Sequence, residues 1–390
     1  MRDDHESKTV HALDRAESDA RRERSLLQRL PSTVAVRITA GTCVAGLEMF
    51  TTGSGERGPK SDIPLFAALD LSSFLAASMT VLLIGGTGFI GRHLTRRLVD
   101  AGHAVTIFHR GETSPALPNA VAVHHGDRDD PNALREALDA AAPDVVVDVI
   151  PYTEAQVEAL VEIADGRTDR LVVLSSGDVY RQYEGLRGMS DGPPDPGSLP
   201  ETAPLRSSRY PYRGADTDFA YAHDYDKLLV EERVRAGTVP ATILRLPKVY
   251  GPHDGEHHVG TALARLQAGD GELVLSEAEA RWRWSRGYVT NVAAAIVAAA
   301  TDSVAAGRTY NVGEPDALPQ ITWLRRVAEV AGIDTTVRTG PAEEQSEAPP
   351  LDWRYDMALD TRRIRTELKF AEEISHQQAL VRSVLWEREE

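Results

Sequence analysis

Residues 220–227 read AYAHDYDK and place Tyr221, His223, Tyr225 and Lys227 within eight positions. An imidazole titrates near neutral pH and can act as a general acid or base, and a neighbouring ammonium lowers its pKa. On a predicted helix, His223 and Lys227 stand four residues apart and face the same way. The segment therefore makes His223 a candidate for proton transfer, with a plain surface histidine as the alternative interpretation.

A second motif with chemical meaning, GGTGFIG, lies between a predicted strand and a predicted helix. It contains Gly86-x-Gly88-x-x-Gly91, and equally Gly85-x-x-Gly88-x-x-Gly91. Such glycines permit a tight turn and a close approach of the backbone to a pyrophosphate, which the amino end of the following helix attracts. The predicted cofactor loop consists of Gly85, Gly86, Thr87, Gly88, Phe89, Ile90 and Gly91.

The end of the second predicted strand distinguishes NAD from NADP. An NAD site usually carries Asp or Glu there, whereas this strand ends in His109 and Arg110, and Arg92 follows the glycine loop. Because a guanidinium pairs with a 2′-phosphate, we predict NADP, with NAD as the alternative if these arginines are only surface residues. Asp127, after the third strand, is a candidate acceptor for the adenine amino group or else a helix N-cap.

Alternating strands and amphipathic helices position these residues. Continuous apolar strands separated by helices are typical of a parallel sheet covered on both faces. The sequence therefore predicts an α/β doubly wound parallel sheet (Rossmann fold) with a smaller C-terminal lobe of mixed helices and strands. The predicted divisions are a poorly ordered leader or misassigned translation start at 1–78, a dinucleotide-binding domain at 79–250, and a mainly substrate-binding lobe at 251–390, parts of which return to the sheet.

Composition excludes several classes of function. The 390 residues carry a net charge of −16, and residues 1–78 contribute only −1 of it, so the rest of the chain repels phosphate backbones. The single cysteine, Cys43, cannot form an intrachain disulfide, and no run of 18 apolar residues occurs. We therefore predict a cytoplasmic protein with a small-molecule substrate and with neither nucleic acid nor membrane as a partner.

Two further segments carry weaker signals. Residues 184–214 are rich in Pro, Gly and Ser, and irregular segments of that length are typical of lids or substrate loops. The segment GPHDGEHH offers side chains that can bind metals, but their spacing matches no zinc pattern, so no metal is predicted. Its candidate ligands are His253, Asp254, Glu256, His257 and His258.

With these motifs in view, residues 79–390 resemble the extended short-chain dehydrogenases/reductases, the NAD-dependent epimerase/dehydratase family of nucleotide-sugar enzymes. The resemblance lies in GGTGFIG, in LVVLSSGDVY at the fifth strand, in ATILRLPKVYGP and in SRGYVTNVAAAI. It implies a nicotinamide cofactor, a sugar-like substrate and a homodimer. The chain also resembles atypical members of this superfamily, among them reductases, sugar dehydratases and RNA-binding proteins.

The resemblance implies roles for the residues that match the family's motifs. Ser176 matches the serine or threonine that holds the reacting oxygen. Lys227 matches the lysine that binds the nicotinamide ribose and lowers the pKa of a catalytic tyrosine. Pro247 lies in the segment that borders the cofactor, and Arg286 matches an arginine that binds a substrate phosphate.

The catalytic tyrosine itself does not match, because the residue four before Lys227 is His223. On a regular helix Tyr225 would point about 200° away from Lys227, and Tyr221 about 240° away, so neither substitutes directly. Three routes to proton transfer stay open: His223 itself, Tyr225 if the helix begins late, and Asp178 in SSGDVY.

Asp178 stands where the family's dehydratases carry a glutamate base, but Gly177 replaces their aspartate acid, so a structural role is its alternative. The leading hypothesis is an NAD(P)-binding oxidoreductase or epimerase/dehydratase-like enzyme acting on a hydroxyl or carbonyl of a sugar or nucleotide-sugar-like substrate. A catalytically inactive dinucleotide-binding regulator or scaffold is the alternative, and RNA binding ranks third because the acidic charge opposes it.

Overall fold

A computed structural model describes residues 78–112, 116–215, 217–269, 271–341 and 351–390. The predicted leader at 1–78 therefore lies almost entirely outside the described residues. Within those ranges, no helix is both long enough and apolar enough to cross a membrane.

The described residues form eleven strands and eleven α-helices. The strands are β1 (Thr80–Ile84), β2 (Ala104–His109), β3 (Ala122–His125), β4 (Val145–Asp148), β5 (Arg170–Ser176), β6 (Ala241–Leu246), β7 (Lys248–Tyr250), β8 (Glu272–Leu275), β9 (Arg286–Tyr288), β10 (Thr309–Asn311) and β11 (Thr336–Thr339). The helices are α1 (Phe89–Asp100), α2 (Pro131–Ala141), α3 (Glu154–Ala164), α4 (Arg181–Leu186), α5 (Lys227–Ala236), α6 (His258–Ala268), α7 (Glu277–Arg281), α8 (Val289–Thr301), α9 (Gln320–Ala331), α10 (Arg362–Glu367) and α11 (His376–Glu387).

Seven parallel strands make the main sheet in the order β10-β6-β5-β4-β1-β2-β3. This is the predicted α/β doubly wound architecture, and the fold class is confirmed. The carboxyl ends of all seven strands lie at one edge, so the loops that follow β1, β4, β5 and β6 meet there. That edge carries the candidate site.

Both faces of the sheet are covered, which explains the apolar character of its strands. Along β1, Val81 and Leu83 belong to one hydrophobic cluster, whereas Leu82 and Ile84 belong to another. Successive side chains of a strand point to opposite faces, so each face needs its own layer of helices. Helices α1 and α8 cover the first face, and α2, α3 and α5 cover the second.

The C-terminal part of the chain contributes to two regions. The strand β10 is the edge strand of the main sheet, next to β6. The remaining strands form two small parallel pairs, β7 with β9 and β8 with β11. The strand β10 and the helix α8 follow residue 250 and yet pack with the main sheet. The division into two domains stays a prediction.

Candidate active site

Two positions of the glycine loop, Gly85 and Gly91, do not accommodate a side chain. Gly85 has a φ of +89°, a conformation that favours glycine. A Cβ atom on Gly91 would lie 2.2 Å from the carbonyl oxygen of Gly85, so α1 could not approach β1 this closely with any other residue. Thr95 of α1 donates a hydrogen bond to the carbonyl oxygen of Gly86 at 3.0 Å. The loop is therefore held against the helix on one side.

The other side of the loop is open. Gly88 is the N-cap of α1, and a Cβ atom added there would meet nothing within 4 Å. Among the described residues no side chain caps this helix, and its first turn has no acidic residue. Uncapped amides at the positive end of a helix dipole suit a phosphate group. The residues present thus fit a dinucleotide pyrophosphate at this position.

The groups expected to contact the adenosine half lie near the ends of β2 and β3. Arg110 is exposed and pairs with Glu112 at 2.8 Å, while the ring of His109 lies 4.9 Å from that of His125. Arg92 on α1 has a buried Nε atom without a hydrogen-bond partner among the described residues. Asp127 is exposed, and the N-cap of α2 is Asp130, so the N-cap interpretation of Asp127 is wrong.

Lys227 is the first residue of α5 and lies at the carboxyl edge of the sheet. Only 4% of it is exposed, and its ammonium donates hydrogen bonds to the carbonyl oxygens of Pro151 and Leu174, both at 2.9 Å. These contacts use two of its three N–H donors. Burial lowers the pKa of Lys227 to about 8, against the opposing charges of Asp148 and Asp178.

The helix begins at Lys227, so Tyr225 precedes it. The intervening residue, Asp226, is the N-cap and has an extended backbone with φ −157° and ψ 101°. Residues two apart in an extended chain point the same way, unlike residues two apart in a helix. The geometric premise that separated Tyr225 from Lys227 is therefore wrong, and the aromatic ring of Tyr225 lies 5.8 Å from the Lys227 ammonium.

Tyr225 meets Asp178, which follows the fifth strand. The phenol donates a hydrogen bond to Oδ2 of Asp178 at 2.8 Å, and both side chains are buried. Burial raises the pKa of the Asp178 carboxyl and raises the pKa of Tyr225 well above its ordinary value. The Oδ1 atom of Asp178 has no hydrogen-bond partner among the described residues. A hydrogen-bonded phenol and carboxyl thus lie at the end of β5.

Ser176 ends β5 and shapes the turn that presents Asp178. Its Oγ atom accepts a hydrogen bond from the backbone N–H of Asp178 at 3.2 Å and so caps the short 3-10 turn Gly177–Val179. The hydroxyl can still donate, because a serine Oγ both donates and accepts. Ser176, Asp178, Tyr225 and Lys227 therefore belong to one region at the carboxyl end of β5.

His223 does not join this group. Its side chain is 73% exposed and its Nδ1 atom pairs with Asp224 at 2.7 Å. The premise that it shares a helix face with Lys227 is wrong, because α5 starts after it. Tyr221 also points elsewhere, since its hydroxyl donates to Asp129 at 3.1 Å.

Aromatic rings that the sequence did not single out surround Tyr225. Its ring centroid lies 5.1 Å from Tyr212, 5.7 Å from Phe219 and 6.3 Å from Tyr152. The Lys227 ammonium lies 5.1 Å from the ring of Tyr152. Tyr152 follows β4, whereas the other rings come from the irregular segment before α5. Aromatic burial of this kind lowers the local dielectric and strengthens hydrogen bonds inside the site.

A second cationic region lies beside the end of β6. Lys248 and Arg286 are register partners in the β7–β9 pair. Lys248 lies 4.0 Å from the ring centroid of Trp284, and Arg286 lies 3.9 Å from that of Trp323. Burial lowers the pKa of Lys248 to about 8 and that of Arg286 to about 10. In the described part of the chain neither forms an ion pair, so this region suits an anionic group.

The remaining candidates are separate from the site or line its border. Pro247 directly follows β6 and lies 3.0 Å from the position that a Cβ atom on Gly287 would take. His257 pairs with Glu387 and His258 with Asp254, both at 2.8 Å. Across the described ranges no group of three or more His, Cys, Asp or Glu is arranged to hold a metal ion.

Comparison with known proteins decides the family. The sequence model of the NAD dependent epimerase/dehydratase family matches residues 81–313. The chain belongs to the NAD dependent epimerase/dehydratase family. The predicted resemblance is confirmed, and the match spans the glycine loop, Asp178, Tyr225, Lys227 and Arg286.

Within this family, two curated relatives illustrate the range of reactions. The chain is 27% identical over 297 residues to 2'-dehydrokanamycin reductase of Streptomyces kanamyceticus, a match that covers 73% of this chain and 77% of the relative. It is 26% identical over 308 residues to dTDP-6-deoxy-L-talose 4-dehydrogenase (NAD(P)(+)) of Kitasatospora kifunensis, covering 71% and 87%. Both relatives are named as redox enzymes.

Solved structures share the family fold. The dTDP-glucose 4,6-dehydratase of Bacillus anthracis, determined in complex with NAD, aligns with a TM-score of 0.60 and 16% identity over 80% of this chain and 97% of that chain. Identity at this level shows the shared fold alone. Members of the family include epimerases, dehydratases and reductases.

Sequence analysis missed several residues of the candidate site. The buried pair Arg206 and Asp226 and the ring of Phe219 are among them. One signal was available: aspartate is a preferred N-cap, so Asp226 before the run KLLVEE marks a helix start at Lys227. That signal would have placed Tyr225 outside the helix.

Proposed function

We propose that this chain is an NAD(P)-dependent oxidoreductase acting on a hydroxyl or carbonyl group of a sugar-like substrate. The observation that carries the proposal is the convergence of Tyr225, Asp178 and Lys227 at the carboxyl end of β5, although the usual tyrosine position is occupied by His223. The names of the two redox relatives support a reductase or dehydrogenase over an inactive binding protein.

The cofactor site provides the redox partner. The open amides at Gly88 and the start of α1 would hold the pyrophosphate, and the third N–H of Lys227 would hold the nicotinamide ribose. When bound, the nicotinamide supplies or accepts the hydride at the reacting carbon. Besides this hydride, the reaction needs a protein group that transfers one proton to or from the substrate oxygen.

Tyr225 and Asp178 are the proposed proton-transfer pair. In the reducing direction, the hydroxyl hydrogen of Tyr225 turns from Asp178 to the substrate oxygen and is transferred to it as the carbonyl becomes a hydroxyl. The phenolate that is left takes up a proton before the next turnover, and the reverse reaction returns the substrate proton to Tyr225. Before substrate binds, Asp178 accepts the hydrogen bond of this hydroxyl and keeps it oriented. Ser176 donates its hydroxyl hydrogen to the substrate oxygen and fixes its position, which shortens the search for a productive geometry.

The basic pair Lys248 and Arg286 is the proposed anchor for an anionic part of the substrate. Two desolvated cations without carboxylate partners are costly to bury, and a bound phosphate or carboxylate would offset this cost. A substrate of the nucleotide-sugar or sugar-phosphate class satisfies this requirement. The adjacent tryptophans Trp284 and Trp323 hold the two cations in place.

NADP is the proposed form of the cofactor. Arg110 directly follows β2, where an NAD site would have a carboxylate, and it is free to turn from its exposed partner Glu112. Exposed ion pairs of this kind contribute about 0–1 kcal/mol, so a 2′-phosphate competes readily with Glu112. A homodimer and a cytoplasmic location stay predictions.

The proposal is tested by a substrate screen with Tyr225→Phe and its matched control Tyr221→Phe. The full chain is first titrated with NADPH and NADH, followed by turnover assays on keto and hydroxy sugars with and without phosphate groups. We expect Tyr225→Phe to lower kcat by about 10²–10⁴-fold while cofactor affinity stays unchanged. Tyr221→Phe removes a hydroxyl bonded to Asp129 and should keep more than half of the activity.

The outcomes separate the hypotheses. Cofactor binding without turnover on any member of the panel would favour the inactive regulator. Equal activity of Tyr225→Phe and wild type would remove Tyr225 from the mechanism, and undiminished turnover of Ser176→Ala would remove Ser176 from the role proposed for it.

A further inference from the structure

The segment that carries Tyr225 is held by a carboxylate one residue further along the chain. The side chain of Asp226 is fully buried, and it accepts hydrogen bonds from the backbone N–H groups of Leu228 at 2.9 Å and Tyr210 at 2.8 Å. The first contact starts α5, and the second ties the preceding irregular segment to that start. The extended backbone that places Tyr225 beside Lys227 is thus fixed from both sides.

Arg206 connects this carboxylate to Asp178. Its guanidinium is fully buried, and Nη2 donates to Oδ1 of Asp226 at 2.5 Å. Its Nε atom donates to the backbone carbonyl oxygen of Asp178 at 3.1 Å, and Nη1 donates to that of Ser208. The backbone N–H of Arg206 also donates to Val179 at 2.8 Å. One side chain therefore joins the turn that presents Asp178 to the segment that presents Tyr225.

Arg206 adds to the ring contacts and backbone hydrogen bonds that hold Tyr225, and it is the side chain that also reaches the Asp178 turn. Tyr225 and Asp178 are 47 positions apart in the sequence, and Tyr225 lies outside the helix. A single isolated bridge pairs Tyr225 with Thr153. A planar guanidinium with donors in a fixed fork is suited to set both distance and angle between two segments.

We propose that Arg206 and Asp226 are positioning residues that align Tyr225 with Asp178 and Lys227, so that the sequence Tyr-Asp-Lys performs the proton transfer usually assigned to a tyrosine four residues before the lysine. This inference rests on the proposed function of Tyr225. Neither Arg206 nor Asp226 contacts the reacting atoms, since both act through the groups they hold.

The charges of Arg206 and Asp226 also influence the pKa of Asp178. Burial raises the pKa of Asp178, and the positive charge of Arg206 is the largest effect that opposes this rise. Tyr225 and Lys227 also lower it, whereas Asp226 raises it. Replacing Arg206 and Asp226 by neutral residues therefore removes the largest effect that lowers the pKa of Asp178. It also removes the effect of Asp226, which raises that pKa and is weaker. Because Asp178 accepts the hydroxyl hydrogen of Tyr225 as a carboxylate, kcat should fall at low pH as Asp178 is protonated. This acidic limb should move to higher pH when both charges are removed, whereas the loss of a contact that does not influence Asp178 would leave it in place.

The experiment compares the double variant Arg206→Gln/Asp226→Asn with Arg206→Lys in the full chain. Removing one partner alone leaves an unpaired buried charge, whereas the double variant leaves none, and asparagine still caps a helix. Arg365→Gln/Glu372→Gln is the matched control, because it removes a half-buried pair in the second lobe. Thermal unfolding and far-UV circular dichroism first establish that each variant is folded.

We expect the double variant to lower kcat by about 10²-fold, with the dissociation constant for NADPH within about twofold of wild type. Arg206→Lys keeps the charge but not the fork, so it should lose activity by a smaller factor without moving the acidic limb. Aspartate carbon-13 NMR, assigned with Asp178→Asn, should report a higher pKa of Asp178 in the double variant alone.

The inference fails separately from the proposed function. If Tyr225→Phe loses activity but the folded double variant keeps wild-type kcat and an unmoved acidic limb, the positioning role is overturned. An equal loss of NADPH affinity and kcat in the double variant would also overturn it, because the defect would lie in the cofactor site. If Tyr225→Phe is fully active, the proposed function fails, and the carbon-13 measurement still decides whether Arg206 controls Asp178.

Discussion

The glycine loop and the proton-transfer region lie at the same edge of the sheet but are built in different ways. The loop occupies consecutive residues, 85–91, and its shape follows from the absence of side chains where helix and strand approach. Tyr225 and Asp178 come from separate segments and are brought together by buried polar contacts. A local motif therefore depends on its own backbone, whereas the proton-transfer region depends on the fold of a long irregular segment.

The largest expected effect concerns the glycine loop. Gly91→Ala places a Cβ atom 2.2 Å from the Gly85 carbonyl oxygen, so α1 must move away from β1. We expect a loss of about 3 kcal/mol in the free energy of unfolding together with loss of cofactor binding. Denaturant unfolding and NADPH fluorescence titration measure the two effects.

Gly88→Ala is the matched control for this substitution. Its Cβ atom meets nothing within 4 Å in the protein, and its φ of −76° is accessible to alanine. The variant should lose no more than about 1 kcal/mol of stability, because glycine is a better N-cap than alanine, and its main defect should be in cofactor affinity. Equal destabilisation of both variants would show that the close packing at Gly91 does not determine the loop.

An intermediate effect is expected at Lys227, which lies beside Tyr225 and is also proposed to hold the cofactor ribose. Burial lowers its pKa to about 8, so the ammonium loses its proton as the pH rises through that value. If the charged form holds the cofactor ribose, kcat/KM for NADPH should be constant below pH 8 and fall about tenfold per pH unit above it. Steady-state kinetics from pH 6 to 10 provide the profile.

Lys227→Arg keeps the charge over this whole range, because arginine stays protonated. The alkaline limb near pH 8 should therefore disappear in this variant, even if its kcat/KM is lower throughout. Persistence of the same limb would assign it to a group other than Lys227.

The smallest expected effect concerns cofactor preference. Arg110 is 53% exposed, so its contact with a 2′-phosphate is partly screened by solvent. Arg110→Asp should weaken NADPH binding by about tenfold and leave NADH binding nearly unchanged. Arg338→Asp makes the same change in net charge in the second lobe and should affect neither cofactor. An equal change for NADPH and NADH would remove Arg110 from the choice of cofactor.

Much of the fold was predictable because its signals are local. The apolar runs of β1, β4 and β5 and the helices between them indicate a parallel sheet, and the glycine motif indicates its ligand edge. The candidate catalytic residues were harder to predict from the sequence. His223 depends on a helix that begins before it, yet the N-cap Asp226 starts the helix after it. A shift of a few residues in a helix boundary therefore changed which side chain faces Lys227.

The sequence by itself determined the doubly wound sheet, the glycine loop and the family, since each depends on residue types at short spacing. Only the tertiary structure decided that Tyr225 meets Asp178, that His223 faces solvent, and that Arg206 and Asp226 connect the two segments. The physical reason is that these contacts satisfy buried polar groups far apart in the chain. Their partners are selected by the packing of the whole irregular segment against the sheet, not by local periodicity.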